Sequence, residues 1–364
     1  MTRIDQFLPG FAPHDAIGSN ALQIRRVLRD AGIQSDIWAE DIHSPMQQHA
    51  RPYADYGRAP AADALLYHAS TGSGMADYLA RRPEPLFIEY HNITPASYFA
   101  RWEPVAAAAM TDAREQLRRL AGRVSLGLAV SSFNEAELID IGYHPTGVVP
   151  LLIDFEEYEQ EPSARTLARL KRSRSGGSRW LFVGRVAPNK CQHDLIGALA
   201  AYRHLFDPRA TLTLVGGMTS RLYFRSLEKL AVELGVAGAV DFADSVSFGD
   251  LLAYYRTADV FVCLSEHEGV GVPLLEAMHF GLPVVAGAAA ALPETVADAG
   301  VLLPDKDPVV VACAVHRVLT DANLRSALLE AGRARVEEYS LPRTGKRFLD
   351  TIVPAVTGAP GAHG

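Results

Sequence analysis

At 364 residues the chain exceeds a single average domain of about 100–200 residues, so two domains are expected. Hydrophobic residues at 48%, charged residues at 21% and a mean hydropathy of +0.04 are those of a soluble globular protein, and the net charge of −7 excludes a cationic nucleic-acid binder. Three widely spaced cysteines, Cys191, Cys263 and Cys313, stand in or beside apolar runs and fit buried free thiols rather than a disulfide framework or a metal site.

The first residues, "MTRIDQFLPG", lack a charged segment followed by an apolar one, and no run of about 18 apolar residues occurs. A cytoplasmic protein, free or peripheral at the inner face of a membrane, is expected. In chain order, "RIDQFLP", "SDIWAE", "ADALLYH", "PLFIEYH", "LGLAVSS" and "TGVVPLL" read as strands separated by helix-period segments. Residues 159–178 gather charged and small residues and read as a domain connection. A second set of strands follows: "RWLFVG", "TLTLVGG", "AVDFAD", "ADVFVCLS", "LPVVAG" and "GVLLP". Then "SLPRTGKRFLDTIVPAV" reads as a helix, and 358–364 as a disordered tail. The alternation implies two doubly wound α/β domains, which bind ligands beyond the carboxyl ends of their strands.

Two loops after such strands carry chemistry. In "SEHEGVGVPLLEAMHFGLPVV" a strand ends, a glycine loop follows, and a helix opens at Pro273 and closes at Gly281. The free amides and positive dipole end of a helix start favour phosphate oxygens. A diphosphate on the amides of Gly269, Val270, Gly271 and Val272 would have Glu276 on its ribose side and Glu268 on its hexose side. The ordinary alternative makes Glu268 a loop carboxylate and Glu276 an exposed charge near a helix start. In "RWLFVGRVAPNKCQHDLIGAL", Arg185 follows a strand directly and Lys190 precedes a helix, a pair of cations suited to a departing diphosphate, or else two solvated loop charges.

"VGRVAPNK" followed by "EHEGVGVPLLEAMHFGLPVVAGAAAALPETVADAGVLL" resembles the carboxyl-terminal domain of family 4 retaining glycosyltransferases, whose hallmark is two glutamates separated by seven residues. The resemblance covers about 180–304 closely and the first domain loosely. It implies the GT-B fold, two facing Rossmann-like domains with an interdomain cleft: an acceptor-side domain of 1–158 with a returning helix at about 341–357, and a donor domain of 179–340. It also implies retention of anomeric configuration, a nucleotide-sugar donor activated by UDP or GDP, and a glycan or lipid-linked acceptor.

In similar transferases a histidine after a comparable strand contacts the donor sugar, which makes His91 in "PLFIEYHNITP" the candidate and His68 its rival; either could equally be structural. The first loop departs from the usual paired glycines: Gly18 precedes a helix that Asp15 or Ser19 could cap, and Gly18 with Ser19 could approach the diphosphate. The one Asp-x-Asp string, Asp305 and Asp307, precedes a helical run and reads as a cap, so metal-independent chemistry without a cofactor is expected. No carboxylate can be assigned as a nucleophile, which favours front-face substitution over a glycosidase-like double displacement.

Three alternatives remain. A nicotinamide dehydrogenase lacks its G-x-G-x-x-G helix opening here. Another GT-B enzyme, such as an epimerase or phosphorylase, would not be expected to match the glutamate loop so fully. A non-catalytic sugar-nucleotide-binding subunit would bind but not turn over. The segment 100–124, with an Arg-bearing and an Ala-rich face, reads as a surface helix, with contact to an anionic membrane as the second reading.

Overall fold

The computed structural model describes residues 1–13, 15–172 and 176–358, so most of the tail expected at 358–364 lies outside the described residues. Two compact units are present. The first comprises Met1–Ala100, Pro104–Asp154 and the chain from Glu338 onward; the second comprises Arg101–Glu103 and Phe155–Glu337.

In the first unit seven strands, β1 (Ile4–Phe11), β2 (Ile37–Ile42), β3 (Arg51–Pro52), β4 (Ala64–Ala69), β5 (Leu86–Tyr90), β6 (Val124–Ala129) and β7 (Thr146–Val148), form one sheet in the order β3-β2-β1-β4-β5-β6-β7. Every pairing is parallel. Parallel strands need crossover connections, which cover both faces with helices, and so β4 and β5 are buried throughout. On one face Ile4, Leu66 and Phe87 pack against Ile24 and Leu28 of the helix Ala16–Asp30 and against Phe348 and Ile352 of the last helix, Leu341–Thr357. On the other, Leu65, Ile88 and Tyr90 pack against Met75 and Leu79 and against Leu117 and Leu120 of the helix Pro104–Leu120.

The second unit holds β8 (Arg179–Val183), β9 (Thr211–Val215), β10 (Val240–Asp244), β11 (Val260–Cys263), β12 (Val284–Gly287) and β13 (Gly300–Leu303), in the order β10-β9-β8-β11-β12-β13, again all parallel. Both sheets are doubly wound, as the alternating pattern predicts. The strand order reverses between β8 and β11, and the crevice at such a reversal is where open α/β sheets bind ligands. The loops leaving β8 and β11 are those that carry Arg185, Lys190 and Glu268.

Residues 159–178 include a helix, Ala164–Arg172, with Leu170 buried and Arg169 donating to the Tyr254 hydroxyl at 2.7 Å. All three cysteines are free, but Cys313 is exposed rather than buried, because its position on the helix Pro308–Thr320 lies off the buried stripe of Val311, Ala312, Val315 and Val318. Among the described residues no helix is long and apolar enough to cross a membrane.

Candidate active site

The loop after β8 begins with a close approach of two backbones. Gly184 has φ +151 and Gly216, just past β9, has φ +144, and a Cβ on Gly216 would stand 2.2 Å from the Gly184 carbonyl oxygen. Only glycine at 216 lets these strand ends meet and fixes where Arg185 leaves the sheet. Gly216→Ala is therefore expected to cost about 1–3 kcal/mol, at roughly 2–4 °C of Tm per kcal/mol, in thermal denaturation. An unchanged Tm would show that the strand ends can part freely.

Arg185 is exposed, and its side chain makes no ion pair among the described residues. Lys190 ends the turn Pro188–Lys190, and its Nζ stands 2.6 Å from both carboxylate oxygens of Glu268. The two loops are also stitched by backbone: the Asn189 carbonyl accepts from Glu266 N at 2.9 Å, and Asn189 Nδ2 donates to the His267 carbonyl at 3.2 Å. Thr295 Oγ1 donates to the Val270 carbonyl at 2.5 Å, so the segment 266–270 is held from both sides.

Gly271, at φ +82, precedes the helix Val272–His279, with Pro273 in the first turn. A Cβ there would come within 3.0 Å of both Leu274 and Leu292. Beyond the helix, Gly281 (φ +68) donates to the Met278 carbonyl and Leu282 to the Ala277 carbonyl, which closes the helix in a Schellman motif. Glu276 faces inward. It is buried, which rules out the reading of an exposed helix charge; the Tyr158 hydroxyl donates to Oε1 at 2.6 Å and the Tyr255 hydroxyl donates to Oε2. Burial raises the Glu276 carboxyl above its ordinary range, and the two tyrosine hydroxyls work against that rise.

In the first unit the helix Ala16–Asp30 begins before Gly18, so Gly18 and Ser19 lie within its first turn rather than Gly18 preceding it, and Asp15 rather than Ser19 is its cap. The Asp15 side chain accepts from Gly18 N at 3.0 Å, and the Asp15 carbonyl accepts from Ser19 N at 2.9 Å. His91 follows β5, its backbone N donating to the Ala69 carbonyl. Its side chain is only 2% exposed, and Nε2 stands 2.9 Å from His68 Nδ1 and 3.4 Å from Glu89 Oε2. The two candidate histidines thus belong to one cluster around a buried glutamate.

The ligand atoms of His68, Glu89 and His91 lie within 4.8 Å of one another, as do those of Cys191, His193 and Asp194. Neither set is assigned to a metal. Asn20 and Gln6 already engage Glu89 and His68, while Lys306 pairs with Asp194 at 2.6 Å and burial pushes the Cys191 thiol up to about 12. Asp307 caps the helix Pro308–Thr320, accepting from Val309 N and Val310 N.

Tyr158, Tyr255, Glu89 and the Gly184–Gly216 contact went unforeseen in the sequence. Glycines directly after "LFV" and "TLTLV" signalled the last of these, and a charge inside a central parallel strand signalled Glu89.

Two doubly wound units, with a cation pair, a paired-glutamate loop and a helix start at the reversal of the second sheet, define the GT-B class of glycosyltransferase folds. Residues 169–335 match the family described as Glycosyl transferases group 1, in keeping with the resemblance read from the two loops. A D-inositol 3-phosphate glycosyltransferase of Geodermatophilus obscurus is 35% identical over 273 residues, 70% of this chain and 58% of that protein. A GDP-mannose-dependent alpha-(1-6)-phosphatidylinositol monomannoside mannosyltransferase of Mycobacterium tuberculosis is 33% identical over 238 residues, 61% of this chain and 59% of that protein. The chain thus spans less than two thirds of the length of the curated relatives it matches. Anabaena HepE in complex with UDP and glucose shares the fold with a TM-score of 0.77 at 20% identity, covering 97% of this chain and 100% of that one.

Proposed function

We propose that this chain is a retaining glycosyltransferase of family 4 that moves a hexosyl group from a UDP- or GDP-activated sugar to a glycan or lipid-linked acceptor, in the cytoplasm and without a metal ion. The observation that carries this reading is the convergence of Arg185, the Lys190 to Glu268 pair and the glycine-led start of the helix Val272–His279 at the reversal of the second sheet. Arg185, Lys190 and the amides from Gly269 to Val272 would take the diphosphate, Glu276 the ribose and Glu268 the hexose. In the first unit, His91 is the proposed contact to the donor sugar, and Gly18 and Ser19 are the proposed contacts to its diphosphate. The likeness to a GDP-mannose-dependent enzyme and to a protein seen with UDP supports a donor activated by either nucleotide.

The chemistry follows from those charges. As the glycosidic bond to the diphosphate breaks, negative charge grows on the leaving oxygen beside two cations and a helix start, while the sugar ring becomes cationic near Glu268. The leaving phosphate can accept the acceptor hydroxyl's proton on the same face, which retains configuration without a protein nucleophile. For a lipid-linked acceptor, the helix Pro104–Leu120, with exposed Val105 and with Arg118 and Arg119 in its last turn, is the proposed membrane contact.

A thermal-shift screen with UDP, GDP and ADP, then their sugars, tests the reading. A cognate nucleotide at about 100 times its Kd should stabilise the protein by about 2.7 kcal/mol. No shift with any of them counts against the proposal, and a shift without turnover on any nucleotide sugar would favour a binding subunit. Turnover should survive exhaustive chelation; strict recovery by magnesium or manganese would show that a cation shares the work assigned to Arg185 and Lys190.

A further inference from the structure

Gln6, His68 and Glu89 stand on β1, β4 and β5 beneath the helix Ala16–Asp30, and the parallel register sets His68 directly against Glu89. All three are fully buried. A buried carboxylate loses several kcal/mol of hydration, and apolar side chains like the neighbouring Ile4, Leu66 and Phe87 would pack this layer without that cost. Stability alone therefore does not account for a polar chain that runs from Gln6 inside β1 to His68 and Glu89 near the carboxyl ends of β4 and β5.

The hydrogen-bond polarity of the chain can be worked out from its fixed ends. The Ala21 carbonyl can only accept, so Gln6 gives it Nε2 at 3.1 Å and presents Oε1 to His68 Nε2 at 3.0 Å. Burial keeps His68 from taking a second proton, so its one proton sits on Nε2 and its bare Nδ1 faces both His91 Nε2 at 2.9 Å and Glu89 Oε2 at 3.0 Å; of these three facing atoms two can only accept, and the proton between them must come from His91 Nε2. At the other end, Asn20 Oδ1 accepts from Leu152 N at 2.8 Å, which makes Asn20 Nδ2 the donor to both Glu89 oxygens, at 3.1 and 3.0 Å. Burial alone would raise the Glu89 carboxyl, yet the His91 and His68 rings hold it well below the usual range, so it remains an acceptor. His91 Nε2 faces two acceptors, His68 Nδ1 at 2.9 Å and Glu89 Oε2 at 3.4 Å. His91 Nδ1, buried, has no hydrogen-bond partner among the described residues. A buried ring nitrogen with no partner calls for a ligand or a functional role.

We infer that Glu89 is a positioning residue, which fixes His91 as its Nε2–H tautomer and reserves the Nδ1 lone pair to accept a hydroxyl proton of the donor sugar. The inference rests on the proposed role of His91. Which nitrogen of a histidine is free is set by the bond the other makes, and here that bond is made to a carboxylate locked by Asn20 and to an imidazole locked by Gln6.

Long-range proton–nitrogen NMR of the full chain, labelled with 15N histidine and assigned with His91→Gln, tests this. The wild type should show His91 protonated on Nε2 and bare on Nδ1. Glu89→Gln, checked for folding by its melting curve, should show both tautomers, with kcat lower by about 10- to 100-fold, KM nearly unchanged and nucleoside diphosphate affinity intact. A wild-type His91 protonated on Nδ1 overturns the inference, as do wild-type kcat in folded Glu89→Gln and bare nitrogens on both facing rings, the signature of a bound metal ion. Should Glu89→Gln not fold, the wild-type spectrum alone decides. Full activity in His91→Gln, with the tautomer as expected, would instead remove the proposed role of His91.

Discussion

Replacing Lys190 with Ala is expected to lower kcat/KM by about 10- to 100-fold, the equivalent of one lost charge-assisted contact of about 1.5–3 kcal/mol in the transition state. Lys190 bonds both oxygens of Glu268 at 2.6 Å, so the substitution removes a cation from the diphosphate and also releases the carboxylate proposed to hold the hexose. A modest drop in Tm should accompany it, because a mostly buried carboxylate loses its partner. Arg185→Ala separates the two effects. Its exposed side chain supports no other group, so activity should fall by a similar factor while Tm stays within about 1 °C of wild type. Steady-state rates beside melting curves check both, and near-wild-type activity in the two variants would remove the cations from the mechanism.

Glu268→Gln and Glu276→Gln are expected to fail in different ways. Both Glu276 oxygens accept from tyrosine hydroxyls. A glutamine offers one oxygen and one NH2, so one of Tyr158 and Tyr255 would face a donor, at a cost of about 1–3 kcal/mol in the folded protein. The pH dependence has a definite sign. Because burial raises the Glu276 carboxyl, the folded protein holds this proton more tightly than the unfolded chain, and the carboxylate contributes less stability as pH rises through the window above the ordinary range. The stability gap between wild type and Glu276→Gln should therefore shift toward the glutamine variant between about pH 4 and pH 7. Denaturant titrations at the two pH values measure it, and a shift the other way would mean that the tyrosines outweigh burial. Glu268→Gln should leave Tm less changed and lower turnover, since its proposed contact acts on a sugar ring gaining positive charge.

The contrast between these glutamates marks how far the sequence could be read. Apolar runs bounded by glycine and charge located every strand except β3, whose two residues, Arg51 and Pro52, are too few and too polar to show a period. The positions of Arg185, Lys190 and Glu268 could be read because they lie two, seven and five residues past the ends of β8 and β11, in the loops where a doubly wound sheet places its ligand. Burial of Glu276 could not. Tyr158 lies 118 residues away and Tyr255 21 residues away, and a glutamate in the first turns of a helix carries no local mark of which way it faces. Glu89 gave a partial signal, since β5 lies inside a sheet covered on both faces; its partners Asn20 and His68 come from other elements that only the fold assembles.

Calorimetric titration of the wild type, Glu276→Gln and Glu268→Gln with the cognate nucleoside diphosphate tests the central claim most directly, because that ligand contains the ribose and the diphosphate but no hexose. The account predicts saturable binding to the wild type, at least about tenfold weaker binding to Glu276→Gln, and nearly unchanged binding to Glu268→Gln. Equal loss in both variants, or undiminished binding to a folded Glu276→Gln, would contradict it.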